Sequence, residues 1–171
     1  MAEEIILSPL SENDIDQIVS SFNDLGWNKP RAIYESYLSE QVNNKRSIFV
    51  AKKHEKFFGY VTVKWESDYP HFKKKRIPEI SDLNVLPNYR NKGLGSKLIL
   101  ASENLAKEKA YKHIGLGVGM TADYGNAQRL YVKLGYVPDG HGLHYKNRPV
   151  SYGEEVIVDD DLVIYLIKEL Q

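Results

Sequence analysis

The chain has no cysteine among its 171 residues, which excludes disulfides, thiolate metal sites and cysteine nucleophiles together. Any catalysis therefore runs without a protein thiol. It also lacks a charge excess: 23 lysines and arginines balance 23 aspartates and glutamates, so overall charge recruits neither nucleic acid nor an anionic membrane. Charge-based recognition must be local. No apolar run approaches the length of a membrane span, and Met1-Ala2-Glu3-Glu4 lacks the basic residues and apolar core of a signal peptide. A cytoplasmic location is expected. Internal repeats and low-complexity tracts are absent, and the longest like-charge run, Lys73 to Arg76, reads as a solvated loop. The length suits one well-buried core and is short for two, so a single domain over residues 1–171 is expected.

What is present is an interleaving of strand and helix patterns. Glu4 to Ser8 reads as a strand, and Ser11 with Asp14 resembles a capping box ahead of Ile15, Ile18, Val19, Phe22 and Leu25 on one helical face. Pro30 suits the first turn of a second helix through about Gln41. Ser47–Lys52 and Phe57–Trp65 read as a hairpin whose second arm alternates Val61, Val63 and Trp65. An irregular aromatic and basic segment, Ser67 to Pro78, leads to a strand over Glu79–Leu86, where broken alternation between Ile80 and Leu83 marks a bulge or a change of facing. A helix follows over Leu94–Ala110, with Leu94, Leu98, Ala101 and Leu105 inward and Lys97, Glu103, Asn104, Lys107 and Glu108 on the other faces.

Next comes a strand over His113–Val118, a short helix carrying Ala127, Leu130, Tyr131 and Leu134, a polar loop from Pro138 to Asp161 around a short strand, and a final strand over Leu162–Ile167. Gly115, Gly117 and Gly119 leave one face of their strand nearly bare, which fits either close packing under a neighbour or room for a ligand chain. Together these elements predict an α+β, or mixed α/β, layered fold.

The stretch Arg90-Asn91-Lys92-Gly93-Leu94-Gly95-Ser96 lies between a predicted strand and a predicted helix. Such a turn aims backbone N–H groups and the positive end of a helix dipole at one point, while the glycines let a ligand approach the backbone. It suits a phosphate, although helix-opening glycines without any ligand are common. It is not a P-loop, because Gly95 is followed by Ser96-Lys97 and five residues before it stands Arg90. Nor is it a dinucleotide fingerprint, since the third small position is Leu98 and no βαβ unit opens the chain.

Three elements recur in one order: the strand ending Val85-Leu86-Pro87, then Arg90-x-x-Gly93-x-Gly95, then Asn126-Ala127-x-x-Leu130-Tyr131-x-x-x-Gly135-Tyr136. In this the chain resembles the GCN5-related N-acetyltransferase (GNAT) superfamily. The resemblance implies a central, mostly antiparallel twisted sheet of six to seven strands with a splayed cleft, flanked by about four helices. It implies acetyl-coenzyme A as co-substrate, with its pyrophosphate on Arg90, Asn91, Lys92, Gly93, Leu94, Gly95, Ser96 and Lys97. The pantetheine arm would lie along Val85, Leu86 and Pro87 like an added strand, between the strands at Glu79–Leu86 and His113–Val118. Asn126 and Tyr131 would contact the coenzyme, and no metal is required.

Acyl transfer to an amine needs a neutral nucleophile, yet an amine of pKa about 10.4 is roughly one part in a thousand neutral at pH 7. The resemblance makes Glu79 the candidate general base, with Asp82 further along the same strand as the other carboxylate; either one equally fits a strand cap or a surface ion pair. Tyr131 matches the family's proton donor to the departing thiolate, although it shares an apolar helical face with Ala127, Leu130 and Leu134 and also reads as core. Trp27, Asn28, Tyr34, Tyr37, Tyr69, His71, Phe72, His141, His144, Tyr145 and Arg148 are candidates to wall an acceptor pocket. His141 and His144 are too weak a pair to indicate metal. Glu154, Glu155 and Asp159–Asp161 would attract a cationic acceptor while Lys73–Arg76 would attract an acidic one, so charge does not choose. The resulting expectation is direct acetyl transfer to a primary amine in a ternary complex by a monomer or homodimer, with no nucleic-acid or membrane partner. The alternative is an acyl-coenzyme A-binding module of the same fold without turnover.

Overall fold

A computed structural model describes residues 4–171. The chain begins with β1 (Ile6–Pro9), α1 (Glu12–Asn23) and α2 (Arg31–Val42), followed by the hairpin β2 (Arg46–Lys53) and β3 (Lys56–Lys64). It continues through α3 (Pro70–Lys75), β4 (Glu79–Val85), α4 (Leu94–Glu108), β5 (His113–Gly119) and α5 (Gly125–Lys133), and closes with β6 (Val137–Tyr145), β7 (Arg148–Pro149) and β8 (Leu162–Glu169). The strands hydrogen-bond in the order β1-β2-β3-β4-β5-β8-β6-β7. The pairs β1–β2, β2–β3, β5–β8, β6–β8 and β6–β7 are antiparallel, and β4–β5 is parallel. This is the mixed α/β, mostly antiparallel sheet that the sequence predicts, with, among the described residues, eight strands rather than six to seven and five α-helices rather than about four.

The extra elements have physical causes. Pro138, Gly140 and Gly142 make Val137–Tyr145 read as loop, yet Val137 pairs with Ile167 and Leu143 with Ile164, with a register shift between them that absorbs the glycines. Pro70 opens α3, and Arg76 ends it in the left-handed conformation at φ 55°.

Two compact units divide the chain: the described residues through Trp65 with Asp82–Ser102, and Glu66–Ser81 with Glu103–Gln171. In the first, Ile15, Ile18 and Phe22 of α1 and Tyr34 of α2 bury against Ile48, Val50, Phe57 and Tyr60 of the hairpin. The predicted capping box is present: Asp14 accepts the Ser11 N–H at 2.9 Å and its hydroxyl at 2.6 Å, and pairs with Lys52 at 2.6 Å. Burial would raise the Asp14 pKa, but Lys52 and Ser11 outweigh it and hold the carboxyl below its ordinary value. Gly59 of β3 is dictated by a close approach, because a Cβ there would stand 2.5 Å from the Asn84 carbonyl oxygen.

In the second unit Tyr69, Phe72, Ile77 and Tyr165 form a buried aromatic cluster. Here the bare face of β5 is resolved in favour of packing. A Cβ at Gly115 would fall 2.3 Å from the Phe72 ring, at Gly117 3.1 Å from Tyr165 and at Gly119 2.5 Å from Tyr124. Each glycine receives an aromatic ring.

One predicted polar position is buried. Glu103 of α4 is 2% exposed, and its carboxylate accepts the Tyr136 hydroxyl at 3.0 Å and the Lys168 ammonium at 2.7 Å. A charge with two such partners can be buried where an unpaired one cannot. Among the described residues no helix is long and apolar enough to cross a membrane.

Candidate functional site

In the first unit, the phosphate-type turn is assembled from its backbone. β4 ends at Val85, the Leu86 N–H donates to the Phe58 carbonyl at 2.9 Å, and Pro87–Tyr89 make a single 3₁₀ turn. Asn91 and Gly93 then take positive φ, 58° and 80°. Gly93 has open space where a Cβ would stand, so the left-handed backbone and not crowding calls for glycine there. The Gly93 carbonyl accepts the Lys97 N–H at 3.0 Å, which opens α4 and leaves the Leu94, Gly95 and Ser96 amides in its first turn without helical acceptors. Those amides and the helix dipole favour an anion. Buried Leu94 anchors the turn to the core.

The basic side chains of the turn are held in defined places. Arg90 donates from Nε to the Val85 carbonyl at 2.9 Å, and its guanidinium lies 5.5 Å from the Trp27 ring centroid. Lys92 donates to the Asn88 carbonyl at 2.9 Å, and Lys97 to the Ile5 carbonyl at 2.8 Å and Glu4 at 3.1 Å. Of the residues predicted for the coenzyme, Val85 through Lys97 form this continuous structure.

Three residues before Val85, the expected irregularity in β4 is realised at Asp82, whose φ is 53°. Its carboxylate accepts Tyr60 Oη at 2.5 Å, Tyr37 Oη at 2.8 Å, Asn84 Nδ2 at 2.6 Å and Lys29 Nζ at 3.2 Å. Burial first, and the Asp82 charge second, push the Tyr60 and Tyr37 phenols up, so both remain protonated donors. The Lys29 ammonium also sits 5.4 Å from the Phe22 ring centroid and 5.9 Å from that of Tyr60. Sequence reasoning names Tyr37 only as a pocket wall and misses Tyr60 and Lys29 altogether, because partners 22 to 53 residues away leave no local signal.

The second unit holds the other predicted groups. Glu79 starts β4 opposite Gly115 of β5. Its carboxylate accepts a short hydrogen bond from Ser67 Oγ, and that buried hydroxyl in turn accepts the Tyr69 N–H at 3.0 Å. Ser67 thus fixes the carboxylate, a role the sequence does not announce. Tyr131 of α5 is 7% exposed, and burial pushes its phenol up to about 12. It is a proton donor at neutral pH rather than a base. Its ring packs edge-on against Tyr136 at 6.1 Å, so the core reading holds for the ring. Asn126 sits in the first turn of α5.

The acceptor candidates divide the same way. Trp27, Tyr34 and Tyr37 belong to the first unit, while Tyr69, His71, Phe72, His141, His144, Tyr145 and Arg148 belong to the second. Tyr69 stacks on Tyr165 with centroids 3.6 Å apart, and His144 meets both rings edge-on at 4.9 and 5.5 Å. The acidic run is committed locally: Glu154 pairs with Arg148 at 2.5 Å, Asp159 accepts Tyr145 Oη at 3.2 Å and Asp160 accepts Tyr124 Oη at 2.8 Å. Lys73 is paired with Glu66 at 2.7 Å. Part of each charged set is thus engaged within the protein, and charge still does not choose the acceptor.

Comparison with known proteins gives this geometry its context. Residues 13–136 match the model of the acetyltransferase (GNAT) family. The chain is 31% identical over 116 residues to the uncharacterized N-acetyltransferase YhfO of Bacillus subtilis (strain 168), covering 65% of this chain and 72% of that protein. The fold is shared with an N-acetyltransferase from Staphylococcus aureus Mu50 at a TM-score of 0.72 and 18% identity, covering 98% of this chain and 99% of that one. It is shared also with a GNAT family acetyltransferase from Elizabethkingia anophelis, solved with acetyl-CoA bound, at a TM-score of 0.63 and 19% identity, covering 99% and 100% of the two chains.

Proposed function

The chain belongs to the acetyltransferase (GNAT) family, and on that premise we propose that it moves an acetyl group from acetyl-CoA to a primary amine by direct transfer in a ternary complex. The observation that carries this reading is the turn at Arg90–Ser96, whose left-handed Gly93 and first-turn amides fit a diphosphate. In this reading Leu94, Gly95 and Ser96 bind phosphate oxygens through their N–H groups, with Arg90, Asn91, Lys92 and Lys97 around them. Val85, Leu86 and Pro87 supply backbone to the pantetheine arm, for which Arg90 must release the Val85 carbonyl it now occupies. Asn126 contacts the arm.

Glu79 takes the proton from the acceptor's ammonium, directly or through a water. The freed amine forms its bond to the acetyl carbon, the carbon–sulfur bond breaks, and Tyr131 gives its phenolic proton to the departing thiolate, while the adduct nitrogen sheds its extra proton to water, which restores the Tyr131 phenol. Ser67 holds Glu79 in place for that task. Asp82, bound by four donors, serves as a scaffold anion and not as the base. One catalytic domain is part of the proposal, since the family match runs through segments of both compact units. A cytoplasmic monomer or homodimer that engages neither nucleic acid nor membrane completes it.

Free-thiol release from acetyl-CoA with a panel of amines tests this. Turnover with at least one amine, reduced in Glu79→Gln and Tyr131→Phe, is the expected result. Tight acetyl-CoA binding without turnover across the panel would favour a binding module, and acetyl-CoA failing to raise Tm at high excess would remove the donor site.

A further inference from the structure

The second unit brings together a set of side chains that take no part in the proton and acetyl transfers proposed above. His71 of α3, and Asp139 and His141 of β6, each offer one ligand atom, and these atoms lie within 4.8 Å of one another. We propose that His71, Asp139 and His141 form a binding site for a divalent transition ion of the zinc class, clamping α3 to β6.

The donor set favours this chemistry. Two imidazole nitrogens and one carboxylate oxygen suit zinc, which takes four ligands at about 2.0–2.2 Å and here would add a water. Tetrahedral ligands at that bond length stand roughly 3.3 Å apart, so the site closes by small side-chain rotations. The imidazoles are already close, with centroids 3.9 Å apart and planes tilted at 47°. A shared cation turns that contact into a favourable one.

The carboxylate is oriented from behind. Asp139 Oδ2 accepts the Tyr69 hydroxyl at 2.8 Å and Oδ1 accepts the His141 N–H at 3.0 Å. Each oxygen keeps lone-pair capacity for a metal. Tyr69 is itself fixed by its stack on Tyr165, so the support has the character of the outer shell around built metal sites. Lys74 and Lys75 add positive potential at His71. Two of the three donors are imidazole nitrogens, which suit zinc and not Mg²⁺, an ion that takes oxygen ligands. His144 is not part of the set: its Nδ1 faces the Gly142 carbonyl at 3.1 Å and its ring packs on Tyr69 and Tyr165.

Isothermal titration of Zn²⁺ into the tag-free, metal-stripped full chain tests the site. One equivalent is expected to bind, with a rise in Tm that EDTA reverses. His141→Ala, on an exposed position, and His71→Ala should each weaken binding at least about ten-fold while leaving the Tm in EDTA near that of the wild type. Tyr69→Phe keeps the ring and removes only the hydroxyl, and should weaken zinc about ten-fold. Mg²⁺ at the same concentration should give no heat. Absence of zinc binding by the wild-type chain, undiminished binding in both histidine variants, or equal affinity for Mg²⁺ would each overturn the assignment. None of these readouts depends on acetyl-CoA, so the site and the acyl-transfer reading stand or fall separately.

Discussion

Asp82 and Glu79 sit three residues apart on β4, and the structure gives their carboxylates different surroundings. Asp82 collects two phenols, an amide and an ammonium, and its backbone is turned to φ 53° to meet them. Glu79 opens the strand in regular pairing, its carboxylate steadied by the Ser67 hydroxyl. A carboxylate whose lone pairs are spent on four donors organises its surroundings. Glu79 is positioned by the Ser67 hydroxyl, and in the proposed reading it is the carboxylate that takes the proton. The difference comes from the partners and not from the residue type.

Four experiments sharpen or break that contrast. The largest effect is expected from Glu79→Gln, which should lower kcat about 10²–10³-fold with Tm held within a few degrees. An equal loss in Asp82→Asn, with no such loss in Glu79→Gln, would reverse the assignment. Asp82→Ala should instead act on stability, by about 3 kcal/mol, because it strands a partly buried lysine, the buried Tyr60 phenol and the partly buried Tyr37 phenol. At this chain length that is a fall in Tm of roughly 6–12 °C, read by calorimetry.

Next comes Tyr131→Phe, which should lower kcat about ten- to a hundred-fold while leaving the affinity for acetyl-CoA almost unchanged. Because burial holds this phenol at about 12 against the ordinary 10.0, its proton is retained in the folded chain after the unfolded chain has lost it. Its contribution to stability is therefore complete below pH 10 and disappears as pH rises through about 12. Tyr34, also held at about 12, behaves the same way. Urea melts between pH 9 and 12 should show stability falling, with a shallower fall in Tyr131→Phe. The smallest effect is Gly93→Ala, which forces a side chain into left-handed backbone at a cost of about 1–2 kcal/mol and should weaken acetyl-CoA by a comparable factor.

Local patterns carry the parts of the molecule that were readable beforehand. The capping box at Ser11, the hairpin, the irregularity after Ile80 and the glycine turn at Arg90–Ser96 are all encoded within a few residues, and the structure reproduces them. Where long-range partners decide, the sequence is silent. Pro138, Gly140 and Gly142 signal a loop, but pairing with Ile164 and Ile167 outweighs that signal and makes a strand. Glu103 reads as a surface residue until Tyr136 and Lys168 arrive from 33 and 65 residues away. The Asp82 hub is hidden for the same reason, and so is the meeting of His71 with Asp139 and His141. The glycine turn is legible because backbone conformation makes it, whereas the candidate acceptor side chains converge only after folding.

The glycines of β5 serve as notches that gauge alignment. Phe72, Tyr124 and Tyr165 are the teeth, and each fits only where a side chain is missing. Sliding β5 by one position would drive Ile114, Leu116 or Val118 into those rings, a collision at every tooth at once. Misalignment is thus penalised as a whole strand instead of one pair at a time, and the order of β5 against β8 is set before any ligand is bound.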